Sequence, residues 1–204
     1  MVEILYENPS FLALNKPAGV VVEAVPKGED SLLRILAGSL RKKKPLIIHR
    51  LDKETSGVLL LAKNQTAADY LRRLFKKRLV QKEYLAQVGG RLFPKEGEIN
   101  VPLKKEGRLR RSLPAIGRGA RWAKTLYQVK RYLDGDSLVK VFPKTGRTHQ
   151  IRAHLSLIGY PIVGDTKYGG RQNARLMLHA ASLGFKDQRG NKIKISAPLP
   201  PYFP

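Results

Sequence analysis

The chain has no cysteine, one tryptophan and only 16 acidic residues among its 204. Without cysteine there is no disulfide, no thiolate-held zinc, no iron–sulfur cluster and no thiol nucleophile. Such a composition fits a cytoplasmic setting. No apolar run approaches the roughly 18 residues that span a bilayer. The opening Met1–Glu7 carries an early acid and no basic leader, so no secretory signal is expected. A basic amphipathic helix with an aromatic face, the usual means of lying on an anionic membrane, is missing too. The shortage of acid matters most. Against it stand 39 Lys and Arg, a formal charge of +23, and a field of that sign favours a polyanion. The bland alternative is a basic surface that only keeps the protein soluble.

What is present reads as a globular α+β protein. Hydrophobic residues make up 42%, enough for one well-buried core or two small lobes sharing a sheet. Ile4 to Leu14 reads as strand, turn at Asn8-Pro9, and strand. Asn15–Gly19 is a turn, and Val20–Val22 a further strand. Ser31 to Leu40 has helical spacing with Asp30 or Ser31 as cap, followed by the exposed basic connector Arg41–Pro45. Leu46–His49 and Val58–Ala62 are strand candidates. Asn64 starts the clearest helix, with Ala67, Leu71, Leu74, Phe75 and Leu79 on its apolar side.

Lys82–Val88 alternates as a strand and ends at Gly89-Gly90. Residues 104–131 hold ten Lys or Arg against the single acid Glu106, a net +9. Their glycines suggest a mobile hairpin or loop rather than a packed element. Thr125–Tyr132 and Ser137–Val141 are strands, Thr148 caps a helix to Ile158 that stops at Gly159, and Leu176–His179 and Lys192–Ile195 are late strands. Nothing in the chain demands a second independent domain.

Two polar clusters carry the chemistry. His49-Arg50-Leu51-Asp52-Lys53-Glu54-Thr55-Ser56-Gly57 places a carboxylate at a turn between two buried segments, a position for a nucleophile or base. Thr145–Arg152 supplies an arginine whose fork would keep that carboxylate ionised and aim its oxygens. His149 and Arg152, three apart, would share one helical face while Ile151, Leu155 and Ile158 face the core. A salt bridge that merely fastens a helix to a turn is the alternative. The four histidines make no metal site: His149 and His154 are five apart, and no His-Glu-x-x-His is present. Ser56 lacks a nucleophile-elbow pattern, and Gly164–Gly170 lacks the Lys-Ser/Thr of a phosphate loop and reads as a structured turn beside a pocket. Tyr84 alone would be strand core. Trp122 could stack on a base or anchor packing.

These residues resemble the RluA-type pseudouridine synthases over nearly the whole chain. The His49–Gly57 stretch matches that family's signature. Asn15–Gly19, Lys82-Glu83-Tyr84, Thr145–His154 and Gly159–Asp165 follow in the right order, with Leu178-His179-Ala180 and Pro198-Leu199-Pro200 behind them. The resemblance implies an α+β pseudouridine synthase core: a mixed, mostly antiparallel sheet in two halves, flanking helices and a central cleft, forming a single catalytic domain over 1–204. No N-terminal S4-like domain is expected. It implies Asp52 as the catalytic aspartate, Tyr84 as the ring packed on the target base, and Arg152 as the aspartate's partner. Arg50 would help extrude the uridine and fill its place in the stack.

The reaction breaks N1–C1′, turns the uracil and rejoins it through C5. No electron is transferred, so no cofactor and no metal are expected. Whether Asp52 attacks the sugar, attacks the uracil or assists elimination stays open. RNA contacts are expected from Arg50, Thr55, Arg147, His149, Lys104, Lys105, Arg108, Arg110, Arg111, Lys42 and Lys43, on a monomer acting on transfer or ribosomal RNA. After Gly19 the chain runs Val20–Glu23 where many relatives carry histidine and proline. A non-catalytic RNA-binding or ribosome-assembly protein on the same scaffold is the competing reading, but such a protein would be free to lose Asp52, Tyr84 and Arg152. Deamination would need a zinc ligand set that the chain lacks.

Overall fold

A computed structural model describes residues 2–22, 31–37, 45–107 and 111–204. The chain opens with β1 (Glu3–Glu7) and β2 (Phe11–Lys16), then α1 (Leu32–Ala37), β3 (Leu46–Ile47) and β4 (Ser56–Ala62). Next come α2 (Gln65–Lys76), β5 (Gln81–Gly89), β6 (Glu96–Asn100), β7 (Leu103–Glu106) and β8 (Arg111–Pro114). β9 (Lys124–Tyr132), β10 (Asp136–Pro143), α3 (Gln150–Leu157), a 3-10 turn at Thr166–Tyr168, β11 (Leu178–Lys186) and β12 (Lys192–Ser196) complete it. The expected α+β fold with a mostly antiparallel sheet is therefore observed. Among the described residues no helix is long and apolar enough to cross a membrane.

The chain forms two compact units, Met1–Gln81 with Ala180–Leu199, and Lys82–His179 with Pro200–Pro204. In the first, β2 runs antiparallel between β1 and β4, and β4 also pairs with β3. The Asn8 side chain makes the first turn by accepting from the main-chain N–H groups of Ser10 (2.9 Å) and Phe11 (2.8 Å). All seven residues of β4 are buried, as a continuous apolar run predicts for an inner strand. Asn64 caps α2 through Oδ1 to the Ala67 N–H at 2.9 Å. The helix then lays Ala67, Ala68, Leu71 and Leu74 on a core that includes Phe11, Val58, Leu60 and Leu183. Each fully buried leucine there contributes about 2 kcal/mol.

Several expectations need correction here. Val20–Val22 is not a strand; it makes one isolated bridge, Val21 to Ser31. Its carbonyls are spent elsewhere, Val20 O on the Lys16 ammonium (2.9 Å) and Val21 O on the Leu32 N–H (2.8 Å). Ser31 does cap α1, its hydroxyl oxygen accepting from the Arg34 N–H at 3.3 Å; Asp30, Leu40 and the 41–44 connector fall outside the described residues. β3 stops at Ile47 rather than His49. Leu79 lies beyond α2, because the chain turns left-handed at Arg78 (φ 60°) and leaves Leu79 57% exposed.

In the second unit β10 lies between β5 and β9, and β9 also pairs with β6, all antiparallel. β7 and β8 form a separate antiparallel hairpin. That hairpin is a packed element, against expectation. Leu103 and Ser112 are buried, and the Ser112 N–H donates to the Tyr168 hydroxyl at 2.8 Å. α3 packs on β8, β9, β10 and the 3-10 turn. It ends at Gly159 (φ 85°), where the Gly159 N–H reaches Ser156 O at 3.0 Å.

Candidate active site

In the first unit, Asp52 is the first residue of a β-turn closed by the Thr55 N–H on Asp52 O at 3.1 Å. Asp52 is half-buried, Arg50 exposed and Thr55 buried at 2% exposure. Thr55 was expected to touch RNA. In the structure the residue is buried.

What holds this turn is Lys16. Its side chain is fully buried, and Nζ donates to Pro17 O (2.8 Å), Val20 O (2.9 Å) and Lys53 O (3.0 Å). The Gly19 N–H reaches the same Lys53 carbonyl at 2.9 Å. One ammonium therefore ties residues 16–20 to the residue after Asp52. Burial pushes the Lys16 pKa down to about 8, opposed by the carboxylates of Glu54 and Asp52. Its sequence signals are an apolar strand ending in Asn-Lys-Pro and a place in the Asn15–Gly19 block.

Two more contacts set the turn's flanks. The His49 Nε2 accepts the Leu60 N–H at 2.9 Å, so His49 is the neutral Nδ1–H tautomer, and its ring stacks on Phe75 at 4.6 Å. The imidazole replaces the main-chain acceptor that a longer β3 would have offered. At the other end Gly57 has φ +110°, and a Cβ there would meet Ala180 O at 2.2 Å. Only glycine fits.

In the second unit, Arg152 is buried in α3 and forks onto Asp165, with Nε 2.7 Å from Oδ2 and Nη2 2.6 Å from Oδ1. Its guanidinium carbon also lies 5.2 Å from the Tyr168 ring centroid. Asp165 precedes the 3-10 turn and its carbonyl accepts from Tyr168 N (3.0 Å) and Gly170 N (2.8 Å), so the structured turn expected at 164–170 is present.

Thr148 does not cap α3. His149 holds that place in a left-handed conformation (φ 50°), without a side-chain cap bond; it and Arg152 both reach Tyr168, whose ring centroid lies 5.7 Å from that of the imidazole and 5.2 Å from the guanidinium carbon. Gln150 dictates the geometry. Its Oε1 accepts from the Thr145 hydroxyl (2.7 Å) and the Arg147 N–H (3.0 Å), and its Nε2 donates to Lys124 O (3.0 Å) and Thr125 Oγ1 (2.9 Å). Both acceptor positions and both donor positions of that amide are used. His154 continues the network through Nδ1 to Thr125 Oγ1 (2.9 Å) and Nε2–H to Val101 O (3.0 Å), and burial pushes its pKa down.

The remaining expected contacts are spread over this unit. Tyr84 is half-buried on β5 opposite Val141 of β10. Arg147 donates through Nε to Trp122 O at 2.9 Å, and His149 Nδ1 lies 3.2 Å from the Tyr168 hydroxyl. Lys104 and Lys105 are exposed on β7, whereas Arg111 is paired with Glu106 at 2.8 Å. Lys42, Lys43, Arg108 and Arg110 lie outside the described residues. Among the described residues no group of three or more His, Asp or Glu is arranged to hold a metal ion.

Residues 10–157 match the family described as RNA pseudouridylate synthase. The chain is 36% identical to an uncharacterized RNA pseudouridine synthase, YlyB, of Bacillus subtilis, across 97% of this chain and 69% of that protein. It is 36% identical to the ribosomal large subunit pseudouridine synthase C of Rickettsia bellii, across 98% and 69%. Among solved structures, human RNA Pseudouridylate Synthase Domain Containing 1 superposes with a TM-score of 0.86 at 31% identity, covering 98% of this chain and 84% of that one. The human Domain Containing 4 protein gives 0.84 at 28%, covering 98% and 89%. With a carboxylate turn and an arginine fork already built by its own residues, the chain belongs to the RNA pseudouridylate synthase family and is an isomerase that converts uridine in RNA to pseudouridine.

Proposed function

We propose that the chain modifies large-subunit ribosomal RNA, with Asp52 as the carboxylate that works as nucleophile or base, Tyr84 packed on the extruded uracil, and Arg152 as the cation that partners Asp52. Arg50 takes the place that the flipped uridine leaves in the stack. Arg147, His149, Lys104, Lys105 and Arg111, with Arg108, Arg110, Lys42 and Lys43, follow the RNA backbone. The protein acts as a monomer in the cytoplasm. The target is supported by the relatives named for the ribosomal large subunit.

The observation that carries the catalytic assignment is the anchored turn. Lys16 and Gly19 both donate to Lys53 O, and Thr55 N–H to Asp52 O, so the turn is pinned at the carbonyls of Asp52 and of the residue after it. A reacting carboxylate needs such preorganisation, since a misplacement of about 1 Å costs on the order of a hundredfold in rate.

The test uses ribosomal and transfer RNA carrying tritium at C5 of uridine, from cells lacking the gene. Forming the C5–C1′ bond expels the C5 hydrogen, so the native protein should release label from large-subunit RNA and Asp52→Asn should not. Release from transfer RNA alone would overturn the target.

A further inference from the structure

Ile116 is 97% exposed, an apolar side chain with almost no contact to its own protein. Isolated surface hydrophobes are common, but this one sits on an anchored loop. The Ala115 N–H donates to Pro102 O (3.1 Å) and the Ala120 N–H to Gly117 O (3.1 Å); Leu103 and Arg121 exchange both main-chain bonds, each at 2.9 Å. Gly119 lies close over Lys104, whose Cε would be 3.4 Å from a Cβ at that position. The loop thus presents Ile116 in a defined direction.

Its surroundings are cationic. Arg118 and Arg121 are exposed on the same loop, and the sequence has no acid between Glu106 and Asp134. Trp122 follows, 41% exposed, with its indole N–H fixed on Asn100 Oδ1 at 2.6 Å. Cations alone would grip phosphates of any RNA. An apolar side chain among them gains free energy only where a surface offers both phosphate and an apolar face, and unstacked bases do so.

We propose that Ile116 is a nonionic RNA contact: it packs against an unstacked base of the substrate while Arg118 and Arg121 hold the adjoining phosphates. This rests on the reading that the basic 104–131 region is an RNA track. Salt dependence separates the two contributions, because phosphate contacts release counterions and apolar contacts do not.

The test measures binding of an unmodified large-subunit ribosomal RNA transcript to the full chain over a range of potassium chloride, alongside tritium release. Ile116→Ser should weaken binding about five- to tenfold at every salt concentration with the native log–log slope, and Ile116→Leu should restore it. Arg118→Gln with Arg121→Gln should instead lower the slope by about 1.5. If Ile116→Ser binds and turns over like the native chain while the arginine pair flattens the slope, the contact is refuted and the track survives. If the arginine pair leaves the slope unchanged, the track itself is wrong. An Ile116→Ser defect seen only on assembled ribosomal particles, not on the transcript, would mean a protein partner and would also overturn the proposal.

Discussion

Arg152 and Asp165, thirteen residues apart, meet in a bidentate fork at 2.6 and 2.7 Å, with the Asp165 side chain fully buried. A guanidinium held this way keeps its direction, because two parallel bonds fix the plane that one bond would leave free to rotate. The pair sits between α3 and the turn before Thr166, and the fork compensates the charge of the fully buried Asp165 carboxylate.

Removing one partner should therefore be costly. Asp165→Ala should destabilise the fold by about 3–5 kcal/mol, read from the urea midpoint. Arg152→Lys keeps a charge but not the fork, and should lose turnover as well. A variant as stable as the native chain would show that the buried pair carries little.

Asp52→Asn preserves the shape of the side chain and removes its charge. Turnover in the tritium assay should vanish, while RNA affinity stays within about twofold, since one exchanged carboxylate contributes little to phosphate binding. Parallel loss of affinity would contradict that separation of roles.

Gly57→Ala should be among the most damaging single-methyl changes in the chain. It strains a φ of +110° and drives a Cβ into Ala180 O, which is main chain and cannot rotate aside. A loss of at least about 2 kcal/mol is expected from strain and overpacking together. Gly135, also at positive φ but with nothing near its Cβ position, should tolerate alanine better. Thermal unfolding of the two variants measures the difference.

Alkaline pH should stabilise the protein. Burial lowers Lys16 and Lys82 to about 8, Lys82 with added repulsion from Lys144. Between about pH 8 and the ordinary 10.5, the unfolded chain binds more protons at these lysines than the folded one. Unfolding free energy then rises with pH across that window. Lys82→Met should make the rise shallower; a stability that is flat or falls there would contradict the assignment.

Much of the fold was legible because its causes are local. Asn64 caps α2 through a residue three positions on, Asn8 closes a turn through the next three residues, and β4 announces itself by unbroken apolar character. The errors share one origin. Val20–Val22 has the composition of a strand, yet Lys16 and Leu32 take its carbonyls. Thr148 has the right chemistry for a cap, yet Gln150 bonds back to Thr145 and Arg147 and moves the helix start. Ser112 lies in a basic, glycine-bearing segment, yet Tyr168 holds its N–H from 56 residues away.

The candidate site divides in the same way. Amino-acid order alone determined which residue types stand at the turn and in the helix, and the motif carrying Asp52, Tyr84 and Arg152 needs no coordinates to be read. Tertiary structure decided what holds each of them. Asp165 became the fork for Arg152, Lys16 the clamp beneath the Asp52 turn from 37 residues away, and Ala180 the reason that Gly57 has no side chain. Periodicity and capping act over a few residues and leave a trace in the string of letters. A buried ammonium choosing three carbonyls, or a backbone pressed against a distant glycine, exists only once the chain has closed on itself, where lost solvent must be replaced by whichever partner the fold brings near.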